Sequence, residues 1–187
     1  ALLANTTGNN NTAVGHAALN DQTTGSNATG IGFGAGAQNT TGTITAIGSQ
    51  ALYTNVTGNN NTALGISALY TNTADNNTAV GHAALTANTT GTMNIAMGGF
   101  ALDANTTGNW NSAFGYSALG SNTTASYNCA FGYYALFDNQ SGTSNNAFGY
   151  AALENNTASA NCAFGSYALQ ANTTGDSNTA VGHRALD

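Results

Sequence analysis

The sequence predicts an all-β fold, a parallel β-solenoid of about 11 coils of 16–17 residues that takes in residues 1–187 as one array. Three observations carry this prediction. Glycine recurs at Gly15, Gly32, Gly48, Gly65, Gly81, Gly98, Gly115, Gly132, Gly149, Gly165 and Gly182, always 16 or 17 residues apart. Alanine stands three residues after each of these glycines, and leucine follows that alanine in every copy except where Gly36 takes its place. The residue before each glycine is always apolar. So short a period is the signature of stacked repeats. It is too short for a helix–turn–helix unit and shows no 3.6-residue periodicity, but it suits one or two short strands per coil with a glycine-marked corner.

Stacking coils at the strand spacing of about 4.8 Å turns each column into a ladder of like residues. The column before the glycine holds Val14, Ile31, Ile47, Leu64, Val80, Met97, Phe114, Phe131, Phe148, Phe164 and Val181. This column and the leucines are the expected core, with the four phenylalanines piled in offset stacks. A polar column holds Asn5, Gln22, Asn39, Asn55, Asn72, Asn88, Asn105, Asn122, Asn139, Asn156 and Asn172. Side-chain amides both donate and accept, so this column is expected to satisfy itself as an amide ladder.

Charged residues make up 4% of the chain, against about 25% in ordinary domains. Such a composition can mean disorder, but a disordered chain has no reason to hold an apolar register. With a net charge of −6 and Arg184 as the only strong base, the chain lacks the Lys and Arg that nucleic-acid binding draws on. No apolar run approaches the roughly 20 residues of a membrane span.

Cys129 and Cys162 share a column two coils apart, about 9.6 Å by the strand spacing. That exceeds the roughly 7 Å Cα separation a disulfide tolerates, so they are expected to be unbridged, small buried thiols. His16, His82 and His183 share another column, at closest four coils or about 19 Å apart, too far to hold one metal within a chain; they are expected to face solvent. The run Ala28 to Gly36 contains a GxGxG pattern, but it lacks the strand, helix and downstream acid of a dinucleotide site and reads as a tight coil. No nucleophile–base grouping recurs and the carboxylates do not pair, so neither enzymatic activity nor a cofactor is expected.

Three features point to surface contacts. Tyr116, Tyr133 and Tyr150 share a column with Trp110 nearby; they suit either stacking on sugar rings or packing against another chain. Threonine pairs recur from Thr6-Thr7 to Thr173-Thr174 with breaks at Val56, Ala74, Gln140-Ser141 and Ala158, the basis of an alternative ice-binding reading. Asn-x-Thr/Ser sequons are dense, several of them on the amide column. A thin coil with few large apolar side chains is poorly placed to offset roughly 1–2 kcal/mol of backbone entropy per residue, so lateral packing of several copies under cyclic symmetry is expected. Ala1-Leu2 and Ala185-Leu186-Asp187 stand at the same phase of the repeat, from which a longer polypeptide or end-to-end stacking is expected.

The motif Asn-Thr-Ala-apolar-Gly-x-x-Ala-Leu, at Asn61 to Leu69, Asn77 to Leu85 and Asn178 to Leu186, resembles the head repeats of trimeric autotransporter adhesins of the YadA type. It is similar also to the Asn-Thr-Ala-Val-Gly arrays of phage tail fibres and related surface fibres. The resemblance covers the whole chain. It implies a left-handed β-roll, three chains around one axis and an adhesive or host-recognition role. The period departs from it, since those adhesin heads have shorter repeats and lack the Asn-Thr-Thr-Gly segment seen at Asn88 to Gly91. The resulting expectation is a structural or adhesive segment of an extracellular, cell-surface or virion fibre, trimeric, meeting a cell-surface or glycan receptor.

Overall fold

A computed structural model describes residues 1–187. It contains eleven strands and no helix: β1 (Thr12–Val14), β2 (Thr29–Ile31), β3 (Ile44–Ile47), β4 (Asn61–Leu64), β5 (Thr78–Val80), β6 (Ile95–Met97), β7 (Ser112–Phe114), β8 (Cys129–Phe131), β9 (Asn146–Phe148), β10 (Cys162–Phe164) and β11 (Thr179–Val181). They form one parallel sheet in sequence order, one strand per coil. The register is that of the columns: Thr62 pairs with Thr78, Ala63 with Ala79 and Leu64 with Val80. The fold is a β-solenoid.

The rest of each coil is stacked as tightly as the strand. Of 116 backbone–backbone hydrogen bonds, 94 lie outside the strands. Many of these join a turn to the same turn one coil on, as Leu85 N–H does to Ala101 O and Thr89 N–H to Thr106 O, both at 3.0 Å. A narrow coil can thus pair its backbone polar groups without a wide sheet, which buried peptide groups require.

Strand side chains alternate between the two faces, and here the middle residue faces in. The inward residue is alanine, fully buried at Ala46, Ala63, Ala79, Ala96, Ala113, Ala130, Ala147 and Ala163. With the alanine and leucine that follow the glycine, these residues make up nearly all of the core. The expectation for the column before the glycine is therefore corrected. Val14, Ile31, Ile47, Leu64, Val80, Met97, Phe114, Phe131, Phe148, Phe164 and Val181 flank the inward alanine and stand on the outer face. Leu64 is 46% exposed and Val181 73%. The interior is too thin for a large side chain opposite leucine, so the strand turns its small residue inward. The phenylalanine pile does form, but as an outer wall: Phe114–Phe131, Phe131–Phe148 and Phe148–Phe164 stack at 4.4, 5.0 and 4.6 Å.

After the glycine, alanine and leucine point inward in succession. A strand cannot do that, and the leucine backbone is left-handed, as at Leu85 (φ 52°) and Leu119 (φ 54°). Left-handed residues cost roughly 1–2 kcal/mol each, whereas fully burying a leucine contributes about 1.5–3 kcal/mol, so burial holds the conformation. Gly36 occupies the same position at φ 59°, where glycine carries no such cost. The space of its missing side chain is taken from the next coil, where Ile44 Cδ1 comes within 2.7 Å of where a Cβ on Gly36 would stand. The GxGxG pattern is thus a compensated variant of the coil.

The recurring glycine is required by contact as well as by φ. At Gly65 (φ 138°) a Cβ would lie 2.4 Å from the carbonyl oxygen of Gly81 on the next coil. Gly65→Ala is expected to lower stability by at least about 3 kcal/mol, read as a fall in the thermal midpoint. Gly99→Ala, whose Cβ would come no nearer than 3.5 Å to Tyr116, is expected to stay within about 0.5 kcal/mol of the parent.

Candidate binding surfaces

The amide column faces the interior. Gln22, Asn39, Asn55, Asn72, Asn88, Asn105, Asn122, Asn139 and Asn156 are buried, Asn172 is half-buried and Asn5 exposed. Each amide donates toward the preceding coil: Asn55 to Asn39 Oδ1 (3.1 Å), Asn72 to Asn55 (3.1 Å), Asn88 to Asn72 (2.7 Å), Asn105 to Asn88 (2.8 Å) and Asn122 to Asn105 (2.8 Å). Asn39 donates likewise to Gln22 Oε1. The same nitrogens also close the local turn, as Asn88 Nδ2 does on Gly91 O at 2.9 Å. The chain of amides is interrupted between Asn122 and Asn139, whose Oδ1 atoms have no partner, and resumes where Asn172 donates to Asn156 at 2.8 Å.

A second amide ladder was not anticipated from the sequence. Asn61, Asn77, Asn94, Asn111, Asn128, Asn145 and Asn161, four residues before the glycine, are also buried. Here the oxygen accepts a backbone N–H from the next coil: Asn94 N–H to Asn77 Oδ1 and Asn111 N–H to Asn94 Oδ1, both at 3.0 Å. The nitrogen donates to a turn carbonyl, as Asn94 Nδ2 does to Gly108 O at 2.8 Å. The signal was present as the Asn two residues before each strand alanine, as in Asn61-Thr62-Ala63 and Asn111-Ser112-Ala113, but it was masked by the abundance of exposed Asn around it. The column is interrupted by Ala28 and Ile44; the latter fills the space beside Gly36.

Because the first ladder is buried from Gln22 to Asn156, the sequons on that stretch of it are closed to modification in the folded chain. Exposed sequon residues remain at Asn10, Asn27, Asn60 and Asn76, which share a left-handed backbone at one corner of the coil, and at Asn5 and Asn155.

The tyrosine column lies outside, with Tyr116, Tyr133 and Tyr150 exposed by 44%, 42% and 45%. The rings stack on one another at 5.3 and 5.4 Å with planes 14° and 4° apart. Their faces are therefore turned toward each other and their edges outward. Trp110 belongs to another column, before β7 rather than after it. It stacks on Tyr127 at 5.0 Å and donates Nε1–H to Met93 Sδ at 3.0 Å.

The threonine pairs are exposed or half-buried, and in five of the seven the first hydroxyl donates to the backbone one coil on, as Thr23 does to Thr40 O (3.3 Å), Thr89 to Thr106 O (3.0 Å) and Thr106 to Thr123 O (3.0 Å). His16, His82 and His183 are exposed. His16 stacks on Phe33 at 5.4 Å, and His82 meets Phe100 edge-on at 4.9 Å. Cys129 and Cys162 are unbridged, but they are half-buried on the outer face of the sheet and not in the core, because they flank the inward alanine. Burial pushes the Cys129 thiol up, away from a reactive thiolate. Tyr134 is raised by the hydrogen bond to and charge of Tyr133, and Tyr150 chiefly by the charge of Tyr167. Asp103 is raised by burial, partly offset by the backbone N–H groups of Asp103 and Ala104.

Comparison with protein-family models, with curated proteins and with solved structures finds no match for this chain.

Asn94→Ala would leave Asn111 N–H without its buried partner and remove one of the two amides that donate to Gly108 O, the other being Asn105. At about 1–3 kcal/mol for the orphaned N–H and about 0.5–1.5 kcal/mol for the lost hydrogen bond, a loss of roughly 2–4 kcal/mol is expected in chemical denaturation. Asn109→Ala, two residues before Asn111 at a half-buried position where the side chain accepts from Thr92 N–H within reach of water, is expected to cost under about 1.5 kcal/mol.

Proposed function

We propose that this chain is a structural and adhesive segment of an extracellular or virion fibre, with no catalytic role, in which three copies pack side by side. The observation that carries this reading is the outer face of the sheet. Val14, Ile31, Leu64, Met97 and Phe164 are exposed along one column, joined by Ile66 and Ile95 beside it. The stripe runs the length of eleven strands, about 48 Å at the strand spacing. At roughly 80 Å² for each half-exposed large side chain, it presents on the order of 800 Å². Soluble monomers rarely expose more than a few hundred Å² in one patch, and about 800 Å² per partner is the size of a standard interface.

Three copies, and not two, are taken from the resemblance to trimeric fibre repeats; cyclic packing would turn each outer ladder into stacked rings. The stacked backbone supplies stiffness, and the columns left facing solvent supply the surface that meets a receptor. An extracellular location follows from the same resemblance.

A second reading has one specific observation in its favour. Thr12, Thr29, Thr45, Thr62 and Thr78 stand in register on the outer face of five consecutive strands, a flat hydroxyl array of the kind that orders water. It ends at Ile95. Thermal hysteresis would favour ice binding over attachment.

Sedimentation velocity is expected to give a trimer, and Phe131→Glu is expected to dissociate it while leaving the far-ultraviolet circular dichroism unchanged. A cooperatively folded wild-type monomer at micromolar concentration would refute the assembly.

A further inference from the structure

We propose that the notch over Gly120 is a binding site for a neutral pyranose sugar, with Phe100, Tyr116 and Phe137 as its apolar walls and the Asp103 carboxylate as its hydroxyl acceptor. The proposal deepens the surface-attachment reading and rests on it. The notch arises from a single missing side chain. Gly120 stands in the column after the leucine, between Asp103 on one coil and Phe137 on the next. The Phe137 ring leans into the gap, its edge 2.9 Å from where a Cβ on Gly120 would be. An open groove of about 560 Å³ results, within the roughly 300–1,000 Å³ of sites that take small ligands.

The lining has the two chemistries a pyranose needs. Phe100 and Tyr116 meet at 5.7 Å with planes 73° apart, so they form a corner of aromatic surface for the C–H face of a sugar ring. Edge-on pairs also occur at Tyr133–Tyr134 and Tyr150–Tyr167, but it is Phe100 and Tyr116 that line the groove. Asp103 is half-buried, and its carboxylate meets only the backbone N–H groups of Asp103 and Ala104, with no partner from another coil. Four other acids are engaged: Asp21 accepts from Asn20 at 2.7 Å, Asp75 from Asn59 N–H at 2.7 Å, Glu154 from Gln170 at 2.6 Å and Asp176 from Ser159 N–H at 2.7 Å; Asp138 is as free as Asp103 but does not line the groove. An ionised carboxylate accepts up to about four hydrogen bonds, and a vicinal diol can supply two. Ser121 and Gln140 add a hydroxyl and an amide at the margins. A quaternary ammonium ion would also suit aromatic walls and one acid, but it would leave those polar groups idle.

The test is an array of neutral saccharides, followed by calorimetric titration of the full chain with the best of them and, separately, with tetramethylammonium. Saccharide binding is expected. Asp103→Asn, which keeps the shape, is expected to weaken it roughly tenfold or more, as is Phe137→Ala, with thermal midpoints confirming that both variants fold. No saccharide binding, binding untouched by both substitutions, or binding of tetramethylammonium alone would overturn the proposal. Sedimentation of the same samples separates the two readings. An intact trimer that binds no sugar refutes the notch alone; a folded monomer that binds sugar and loses it in the variants refutes only the fibre.

Discussion

The close approach of one coil to the next at the glycine column is the constraint on which the rest depends. At Gly115 a Cβ would stand 2.4 Å from the Gly132 carbonyl oxygen, so the two backbones nearly touch. That contact sets the phase of every coil. A period of 16 or 17 residues is the chain length needed to leave the glycine, go round and arrive above it. Two of the three 16-residue spacings lose a residue in the turn after the first amide, where Asn72 reaches Ala74 O two residues on, whereas Asn88 reaches Gly91 O three residues on; in the third, Asn39 still reaches Gly42 O and the missing residue lies between Gly42 and Ile44. The strand register is unaffected, as the Leu64↔Val80 and Val80↔Met97 pairs show.

Once the phase is set, the interior has room for little. Alanine on the strand faces leucine across the coil, and the remaining width goes to two columns of amides. Amides suit this place because the turn carbonyls and the strand N–H groups near them need partners, and asparagine supplies both a donor and an acceptor from one short side chain. Substituting a buried apolar residue requires compensation for the same reason. Ile44 stands where other coils have asparagine, and it does so in the stretch where Gly36 has vacated the leucine position.

The repeat, the parallel stack, the inward leucine and the first amide ladder were legible in the sequence because each depends only on like residues recurring in one column. Which side of the strand faces inward was not. The run Ala113-Phe114 offers an alanine and a phenylalanine on opposite faces, and periodicity alone treats both as apolar ladders. The general preference for large side chains in cores chose the phenylalanine. The decision rests on cross-section: leucine, with its left-handed backbone, already fills the interior opposite the strand, and left-handed leucine is not visible in a sequence. The second amide ladder was hidden for a similar reason. Asn60 is exposed and its neighbour Asn61 is buried, and nothing local distinguishes the two. The notch over Gly120 involves an absence, one glycine in a column without a strict pattern, which no ladder argument would single out.

The division between inner and outer columns locates where this chain can vary. Inside, nearly every position is held by a contact with the coils on either side, and changes come in compensating sets. Outside, composition drifts freely along the axis: threonine and aliphatic residues on β1 to β5 give way to cysteine, asparagine and phenylalanine on β8 to β10. A stack whose register is fixed by backbone contact tolerates this drift, because outer side chains touch only their own column and its neighbours. A single chain can therefore carry different surfaces at different heights on one scaffold. Attachment chemistry is accordingly to be sought in departures from the ladder, such as the aromatic corner of Phe100 and Tyr116, and not in the repeat itself.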